Sequence, residues 1–289
     1  MAFQVEVAVR GADRLGECPL WDERQGMLWW VDSRWPAVKR LDPATGAVMM
    51  LVLPEIVGSI ALREAGGMLA ATKRGLHFLD PASGALAPVV DPETALPGNR
   101  FNDGRCDRAG RFWAGTMSDV NRTPVGSLYR FDADLRATKL RNAIVVPNSL
   151  AFSPDGRTMY FADTWRNTIW CYDYDPDSGA ATRERVFVDA GKGRPDGSCV
   201  DAEGCLWNAD YGASRLVRYT PAGKVDRTVD LPVTIPTCCC FGGEDLGTLY
   251  VTTATQRLTP EALAQQPLAG SLLALRPGVK GLPESRFAG

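Results

Sequence analysis

Residues 146–156 read Val-Pro-Asn-Ser-Leu-Ala-Phe-Ser-Pro-Asp-Gly and lead into an apolar segment, Met159-Tyr-Phe-Ala162. The stretch therefore combines a polar side chain, an apolar run, a tight turn closed by glycine and a strand. The same order recurs along the chain, and the six turn glycines are separated by 41 to 48 residues: Gly26, Gly67, Gly110, Gly156, Gly204 and Gly247. Repeats of this length are typical of propeller blades.

The segments that follow the six glycines predict the second strand of each repeat: Met27–Val31, Met68–Ala71, Arg111–Ala114, Met159–Ala162, Cys205–Asn208 and Thr248–Val251. A third strand comes next, often followed by an Asp-Pro or Thr-Pro pair that marks a further turn. We therefore predict a single all-β domain over residues 1–289, a six-bladed β-propeller with four-stranded antiparallel blades around a central channel. A β-sandwich has similar turn signals, but it gives no reason for a nearly constant period.

Two further elements are expected at the ends of the repeat array. The segment from Phe3 to Val9 alternates polar and apolar residues, and it is predicted to close the ring as an outer strand beside the last blade. One helix is predicted within residues 255–266, with Thr259 as its N-cap and Pro260 at the first helical position.

Composition excludes several classes of partner. The 289 residues include 32 Lys and Arg against 34 Asp and Glu, without a basic stripe, so nucleic acid and anionic membrane surfaces are poor candidates. No apolar run approaches the length that spans a membrane. The N-terminal residues lack a basic segment followed by an apolar one, and the expected location is therefore the cytosol.

Cysteine and histidine usage argues against two common kinds of site. The eight cysteines include no C-x-x-C pair, and we predict that they are small core side chains in a reduced chain. The single histidine, His77, lies in a strand-like segment and is predicted to be structural. One histidine cannot build a His-rich zinc site, and the sequence contains no G-x-S-x-G nucleophile motif.

Four polar residues share one register, five residues ahead of the Asp or Ser that opens a turn: Glu17, Asn102, Asn148 and Asp196. If the repeats surround an axis, equal register brings these side chains to one level of it. Three carboxylate or amide oxygens could meet a hard divalent cation there. Taken singly, each residue could instead be a turn former, because Asp-Gly and Asn-Asp-Gly are common turn sequences.

Four motifs closely resemble those of the SMP-30/gluconolactonase family, also called regucalcin-like: Leu15-Gly-Glu-Cys-Pro19, Arg100-Phe-Asn-Asp-Gly104, Val146-Pro-Asn-Ser-Leu-Ala-Phe-Ser-Pro-Asp-Gly156 and Pro195-Asp-Gly-Ser-Cys-Val-Asp201. The similarity runs in order from Leu15 to the Cys240-Phe-Gly-Gly243 region. It implies a six-bladed propeller that holds one divalent cation at the channel mouth and hydrolyses small-molecule sugar lactones.

The resemblance also implies roles for individual residues. The family's metal ligands fall on Glu17, Asn148 and Asp196. Its substrate-contacting pair falls on Arg100 and Asn102, and Asn102 is also expected close to the metal.

One motif departs from the family pattern. In vertebrate members, a Gly-Thr-Met motif is followed by a small residue and two acids, the second of which touches substrate. Here the sequence continues as Ser118-Asp119-Val120. The substrate contact is therefore supplied by Asp119 or is absent, and the sugar preference does not carry over.

Hydrolysis of a lactone needs an activated water, a polarised carbonyl and stabilisation of the developing oxyanion. Asp196 is the candidate base, a role that resembles the one proposed in the family. Arg100 would bind substrate hydroxyls or the developing carboxylate, and Asn102 would orient the ring oxygens. Trp165 and Tyr211 are candidates for stacking on a sugar face.

Three aspartates recur at the ends of second strands, and they are predicted to make local structural hydrogen bonds: Asp32, Asp163 and Asp210. Oxygen ligands favour Ca²⁺, Mg²⁺ or Mn²⁺, with Ca²⁺ expected first, although such a site can also take Zn²⁺ or Fe²⁺. Two other functions stay open. One is a promiscuous metal-dependent esterase or organophosphate hydrolase, and the other is a non-enzymatic calcium-binding or ligand-sensing propeller.

Overall fold

Six antiparallel sheets of four strands surround a central channel in the computed structural model, which describes residues 3–289. This arrangement confirms the predicted six-bladed β-propeller. In every blade the strand that begins at the channel mouth lies innermost, and the chain then moves outward strand by strand.

The first blade consists of β2 to β5 at Gly16–Asp22, Met27–Asp32, Ala37–Leu41 and Val48–Val52. The second consists of β6 to β9 at Val57–Leu62, Met68–Thr72, Gly75–Leu79 and Leu86–Val90. The third consists of β10 to β13 at Asn99–Cys106, Phe112–Ser118, Gly126–Phe131 and Ala137–Ile144. The strands of the next two blades are β14 to β17 at Pro147–Phe152, Thr158–Asp163, Thr168–Tyr174 and Ala181–Asp189, and β18 to β21 at Pro195–Val200, Leu206–Asp210, Arg215–Tyr219 and Val225–Asp230. The last blade combines β22 to β24 at Pro236–Gly242, Thr248–Thr253 and Leu272–Leu275 with β1 at Val5–Val9.

The two ends of the propeller sequence meet in that last blade. Strand β1 pairs antiparallel with β24, with Val5 opposite Leu275, as predicted for the N-terminal segment. Between β23 and β24 lies the short helix α1, Pro260–Gln265, whose N-cap Thr259 accepts a hydrogen bond from the backbone N–H of Ala262. The predicted N-cap is therefore confirmed. No helix among residues 3–289 has the length and apolarity needed to cross a bilayer.

The hydrophobic core is divided among the interfaces between blades. At one of them, Trp113 and Leu128 of the third blade pack with Leu150 and Phe161 of the fourth. Inner strands are buried along almost their whole length because they face the channel and both neighbouring blades. Outer strands such as β5 alternate between exposed and partly buried residues, as expected for a sheet edge that faces water.

Cysteine and histidine occupy structural positions. All eight cysteines are buried and free, as the sequence predicts. The His77 Nδ1 atom lies 3.2 Å from the Thr72 hydroxyl, and its Nε2 atom lies 3.8 Å from a carboxylate oxygen of Glu55. His77 belongs to the third strand of its blade and takes no part in the channel.

Residues 277–289 form a tail across the end of the propeller opposite the channel mouth, and nothing in the sequence pattern predicts it. Backbone hydrogen bonds join the tail to turns and strand ends of four blades: Leu62, Gly110, Ala202 and Leu246. The side chain of Phe287 is fully buried between the second and third blades. Glu284 adds an ion pair with Arg105, with 3.1 Å between the charged atoms.

The tail should stabilise the closed ring. Replacing Phe287 by Ala removes a fully buried aromatic side chain, and we expect the free energy of unfolding to fall by about 3–5 kcal/mol. Urea unfolding followed by tryptophan fluorescence measures this. Met50→Ala, at a position on β5 that is 52% exposed, is the control and should change stability by no more than about 0.5 kcal/mol. Equal losses in the two variants would show that the tail contributes nothing specific.

Candidate metal centre and active site

The inner strands bring polar side chains into one cavity at the channel mouth. In the first, third, fourth and fifth blades, the ladder between the first and second strands shifts register next to the polar residue at the channel mouth. Such a bulge bends the strand and redirects its side chains. As a result, Glu17, Asn102, Asn148 and Asp196 all line one cavity of about 470 Å³.

The two remaining blades contribute differently at the same register. In the second blade the position is Gly58, where a Cβ atom would lie 2.5 Å from the Phe101 carbonyl oxygen and 2.6 Å from that of Asn102. A side chain there would displace the strand that carries Asn102. In the sixth blade the position is Thr237, whose hydroxyl donates to the Gly16 carbonyl oxygen beside Glu17.

Backbone strain is concentrated beside two of the predicted ligands. Cys18 follows Glu17 with a φ of 48°, and Ser149 follows Asn148 with a φ of 58°. Residues with side chains adopt this left-handed region rarely, and such strain persists only where surrounding contacts impose it. The Ser149 hydroxyl is held at 2.6 Å by the Asp196 carbonyl oxygen and at 3.0 Å by the Asn208 amide.

A chain of hydrogen bonds orients the amides. The Arg100 Nη1 donates to the Asn102 Oδ1 at 2.8 Å, and the Asn102 Nδ2 donates to the Asn148 Oδ1 at 2.9 Å. The Asn148 Nδ2 then donates to the Thr164 hydroxyl at 2.7 Å, which itself donates to the Pro195 carbonyl oxygen at 2.8 Å. Because the single hydroxyl hydrogen of Thr164 is used on Pro195, Thr164 must accept from Asn148. The Asn148 oxygen, which accepts from Asn102, keeps one lone pair for a partner in the cavity.

Two carboxylates complete the donor set. Burial raises the pKa of Glu17 well above its usual value, and the negative charges of Asp196 and Asp103 raise it further. Burial likewise raises the pKa of Asp196 well above its usual value, with a further contribution from Asp103. Neither Glu17 nor Asp196 pairs with an Arg or Lys within 4.0 Å in residues 3–289. Two unpaired carboxylates beside an amide oxygen suit a divalent cation, which would relieve their repulsion.

A second acidic cluster, Asp201, Glu203 and Cys205, has atoms close enough to bind a metal, but its carboxylates already pair with an arginine. The Arg218 Nη2 lies 2.7 Å from Asp201 and 2.5 Å from Glu203, and the Trp207 indole N–H donates to Asp201 at 2.9 Å. This cluster is therefore part of an ion-pair network, whereas Glu17 and Asp196 have no Arg or Lys within 4.0 Å among residues 3–289.

The remaining predicted residues lie around the centre. The Asp119 Oδ1 lies 2.9 Å from the Arg100 Nε and 2.8 Å from an Arg34 nitrogen, and Asp119 is not among the residues that line the cavity. Its direct contact with substrate stays a prediction, while its contact with Arg100 is a structural fact. Trp165 and Tyr211 line the cavity, as their predicted stacking role requires.

The strand-end aspartates act structurally, as predicted. Asp32 accepts hydrogen bonds from the backbone N–H groups of Arg14 and Leu15, immediately ahead of an inner strand. Asp163 does the same for residues 145 and 146, and Asp210 does so for residue 194. Each aspartate therefore holds the loop that delivers an inner strand to the channel mouth.

Comparisons with known proteins identify the family of the chain. A family model described as the SMP-30/Gluconolactonase/LRE-like region matches residues 15–255. The chain belongs to the SMP-30/gluconolactonase family. It is 41% identical over 288 residues to a 6-deoxy-6-sulfogluconolactonase of Pseudomonas putida, with 99% of each chain covered. It is 36% identical to regucalcin of Xenopus laevis, with 100% of this chain and 99% of that one covered.

A solved structure shares the fold. The crystal structure of a regucalcin of Agrobacterium tumefaciens, described as a calcium-binding protein, matches with a TM-score of 0.95 at 35% identity. The match covers 100% of this chain and 99% of that one. The resemblance found in the motifs of this SMP-30 family member therefore extends over the full propeller.

Sequence reasoning missed two residues of the centre. Asp103 is a third carboxylate in the channel, where the backbone N–H of Leu150 donates to it at 2.9 Å and burial raises its pKa. It lies within the quoted Arg100–Gly104 motif, and its acidity next to Asn102 was the available signal. Thr164 orients Asn148, and it directly follows the recurring Asp163.

The buried carboxylates should make the cation-free protein less stable at higher pH. A carboxyl group whose pKa is raised on folding does not lower the stability of the protein below its unfolded-state pKa, about 4. As the pH rises toward the folded-state pKa the protein loses stability, and the loss is complete above that folded-state value. We therefore expect Glu17→Gln and Asp196→Asn to melt above wild type at pH 8 with chelator, by about 2–4 °C per kcal/mol of relieved repulsion. Near pH 4 the three proteins should melt alike.

Thermal unfolding across pH measures this effect. Glu244→Gln is the control, because Glu244 is exposed and lies outside the cavity. If the two variants and wild type differ equally at pH 4 and pH 8, repulsion between the carboxylates is not the cause.

Proposed function

We propose that this family member is a divalent-cation-dependent hydrolase that opens a sugar-acid lactone, an aldono-1,4- or 1,5-lactone, to its aldonate. The observation that carries the proposal is the meeting of Glu17, Asn148 and Asp196 beside Arg100 in one cavity. The names of relatives that include lactonase support the reaction class. The oxygen-only donor set favours Ca²⁺, with Mg²⁺, Mn²⁺, Zn²⁺ and Fe²⁺ as alternatives.

The reaction consumes one water and breaks the acyl carbon–oxygen bond of the ring. The products are a carboxylate, the freed hydroxyl and one proton, so no redox partner is needed. A cation held by Glu17, Asn148 and Asp196 would supply Lewis acidity toward the lactone carbonyl.

The residues of the chain have distinct roles in this proposal. Asp196 accepts the proton of the attacking water, because it is a carboxylate that lines the cavity and has no Arg or Lys within 4.0 Å in residues 3–289. The Arg100 Nη2 donates to substrate oxygens, since within residues 3–289 the hydrogen bonds of this guanidinium use only Nε and Nη1. Asp119 holds Arg100 in place. Asn102 positions Asn148, and its Oδ1 retains one lone pair for a substrate hydroxyl.

Burial and the neighbouring Arg34 lower the pKa of Arg100 to about 10. The guanidinium therefore stays charged at neutral pH and can stabilise an oxyanion. The same cavity is also lined by the aromatic side chains of Trp165 and Tyr211, as is typical of small-molecule sites.

The first test is a panel of lactones with a pH indicator, corrected for uncatalysed opening. Glucono-, galactono-, xylono- and arabinonolactone should be opened by the cation-loaded protein, and the rate should fall to the blank after chelation and desalting. Restoring a divalent ion should restore the rate. Turnover that persists without cation would refute the metal dependence. Turnover of paraoxon alone would favour a promiscuous esterase, and cation binding without any turnover would favour a binding propeller.

The base assignment has a separate test. Asp196→Asn should lower kcat about 10²–10⁴-fold on the best lactone of the panel, because the water loses its proton acceptor. Calorimetry of cation binding must accompany the kinetics, since Asp196 is also a proposed ligand. Saturating cation should leave the defect in place. A variant that binds cation and retains wild-type kcat would show that another group is the base.

A further inference from the structure

Three arginines at the outer part of the active-site cavity have no carboxylate partner. Arg122, Arg194 and Arg257 all line the cavity, and none of them pairs with an acid within 4.0 Å in residues 3–289. The deeper Arg100, in contrast, is paired with Asp119. The outer part of the cavity therefore carries uncompensated positive charge.

These arginines come from three separate parts of the ring. Arg122 follows β11 of the third blade, Arg194 directly precedes β18 of the fifth, and Arg257 lies between β23 and α1 of the sixth. Arg122 and Arg257 have φ values of 54° and 66°, in the left-handed region. Strained backbone at a cavity is typical of positions held for function.

The positive charges also lie close together. The guanidinium carbons of Arg194 and Arg257 are 4.9 Å and 6.0 Å from the centre of the Trp165 ring. Burial lowers the pKa of Arg122, and the charges of Arg257 and Arg34 lower it further. Like charges that line one cavity repel each other, and an anion placed among them would reduce that repulsion.

The two ends of the cavity differ in charge. Glu17 and Asp196 give the deep end carboxylates, which would repel an anion unless a cation lies between. Arg122, Arg194 and Arg257 give the outer end guanidinium groups, which bind phosphate, sulfonate and carboxylate through paired N–H donors. An uncharged sugar lactone would use the deep end and leave the outer end without a partner.

We propose that Arg122, Arg194 and Arg257 bind an anionic substituent of the substrate, so that the preferred lactone carries a phosphate, sulfonate or carboxylate away from its ring carbonyl. This inference rests on the proposed lactonase function for its substrate class. The arginines select and orient the substrate, while the groups at the deep end carry out hydrolysis.

The kinetic test compares matched lactones at constant ionic strength with the cation-loaded protein. Glucono-1,5-lactone is the neutral reference, and three analogues carry 6-phosphate, 6-sulfonate or 6-carboxylate groups. We expect kcat/KM for at least one anionic lactone to exceed that of the neutral one by about 10-fold or more. The analogue with the largest kcat/KM relative to the neutral lactone identifies the preferred anionic group. Ratios near one in all three arms would overturn the proposal.

Variants locate the effect. In Arg194→Gln/Arg257→Gln the advantage of the anionic lactone should fall about 10-fold or more, while the neutral lactone loses far less. Arg157→Gln, on an exposed turn at the opposite end of the propeller, removes one charge and is the matched control that should change neither substrate. Equal losses for neutral and anionic lactones would mean that the arginines bind the newly formed carboxylate, and the proposal would be wrong.

A binding measurement separates this inference from the proposed function. Calorimetry compares gluconate with 6-phosphogluconate, 6-deoxy-6-sulfogluconate and glucarate, on wild type and on the double variant. Tighter binding of an anionic ligand that is lost in the variant supports the anion site, even if no lactone is turned over. Lactone turnover together with equal binding of all four ligands would leave the lactonase standing and remove the anion site.

Discussion

Two buried carboxylates without a positive partner, Glu17 and Asp196, set the requirements that the rest of the propeller meets. Burial raises the pKa of both groups and the negative charge of Asp103 raises it further, so holding these carboxylates together is unfavourable unless the backbone around them is rigid. The left-handed φ values of Cys18 and Ser149 add to this strain. Such a site is compatible with a stable fold only because interblade packing and ring closure contribute more folding free energy than the site costs.

Two separate contacts close the propeller ring, in different parts of the molecule. Strand β1 completes the last blade at its outer edge, whereas residues 277–289 bind the blades at the end opposite the cavity. The first blade also packs directly against the sixth, and these two closures add to that contact. Together they limit rotations of a blade that would separate donors from the first, fourth and fifth. The tail thus supports the site from a distance, through Phe287 between two blades rather than through any cavity residue.

The sequence predicts features that repeat and misses those that occur once. Turn glycines at nearly constant period predict six blades, and equal register predicts that Glu17, Asn102, Asn148 and Asp196 meet. Equal register does not predict Asp103, because a bulge after Phe101 changes which side chains of β10 face the channel. Such a bulge cannot be recognised from the pattern of polar and apolar residues. Thr164 acts through a contact between blades, and the tail has no periodicity at all, so neither could be read from register.

The pairing of Asp119 with both Arg100 and Arg34 determines where charge is free in the cavity. Because that carboxylate offsets part of the charge of these two guanidiniums, Arg100 provides directed N–H donors with less net positive charge beside the proposed cation. Among the arginines of the cavity, Arg194 and Arg257 lie around Trp165 and, like Arg122, have no carboxylate within 4.0 Å in residues 3–289. Charge therefore changes sign along the cavity, from carboxylates at the channel to guanidiniums at the rim. A substrate with a polarisable carbonyl at one end and an anion at the other would bind in one orientation, with the carbonyl toward Asp196.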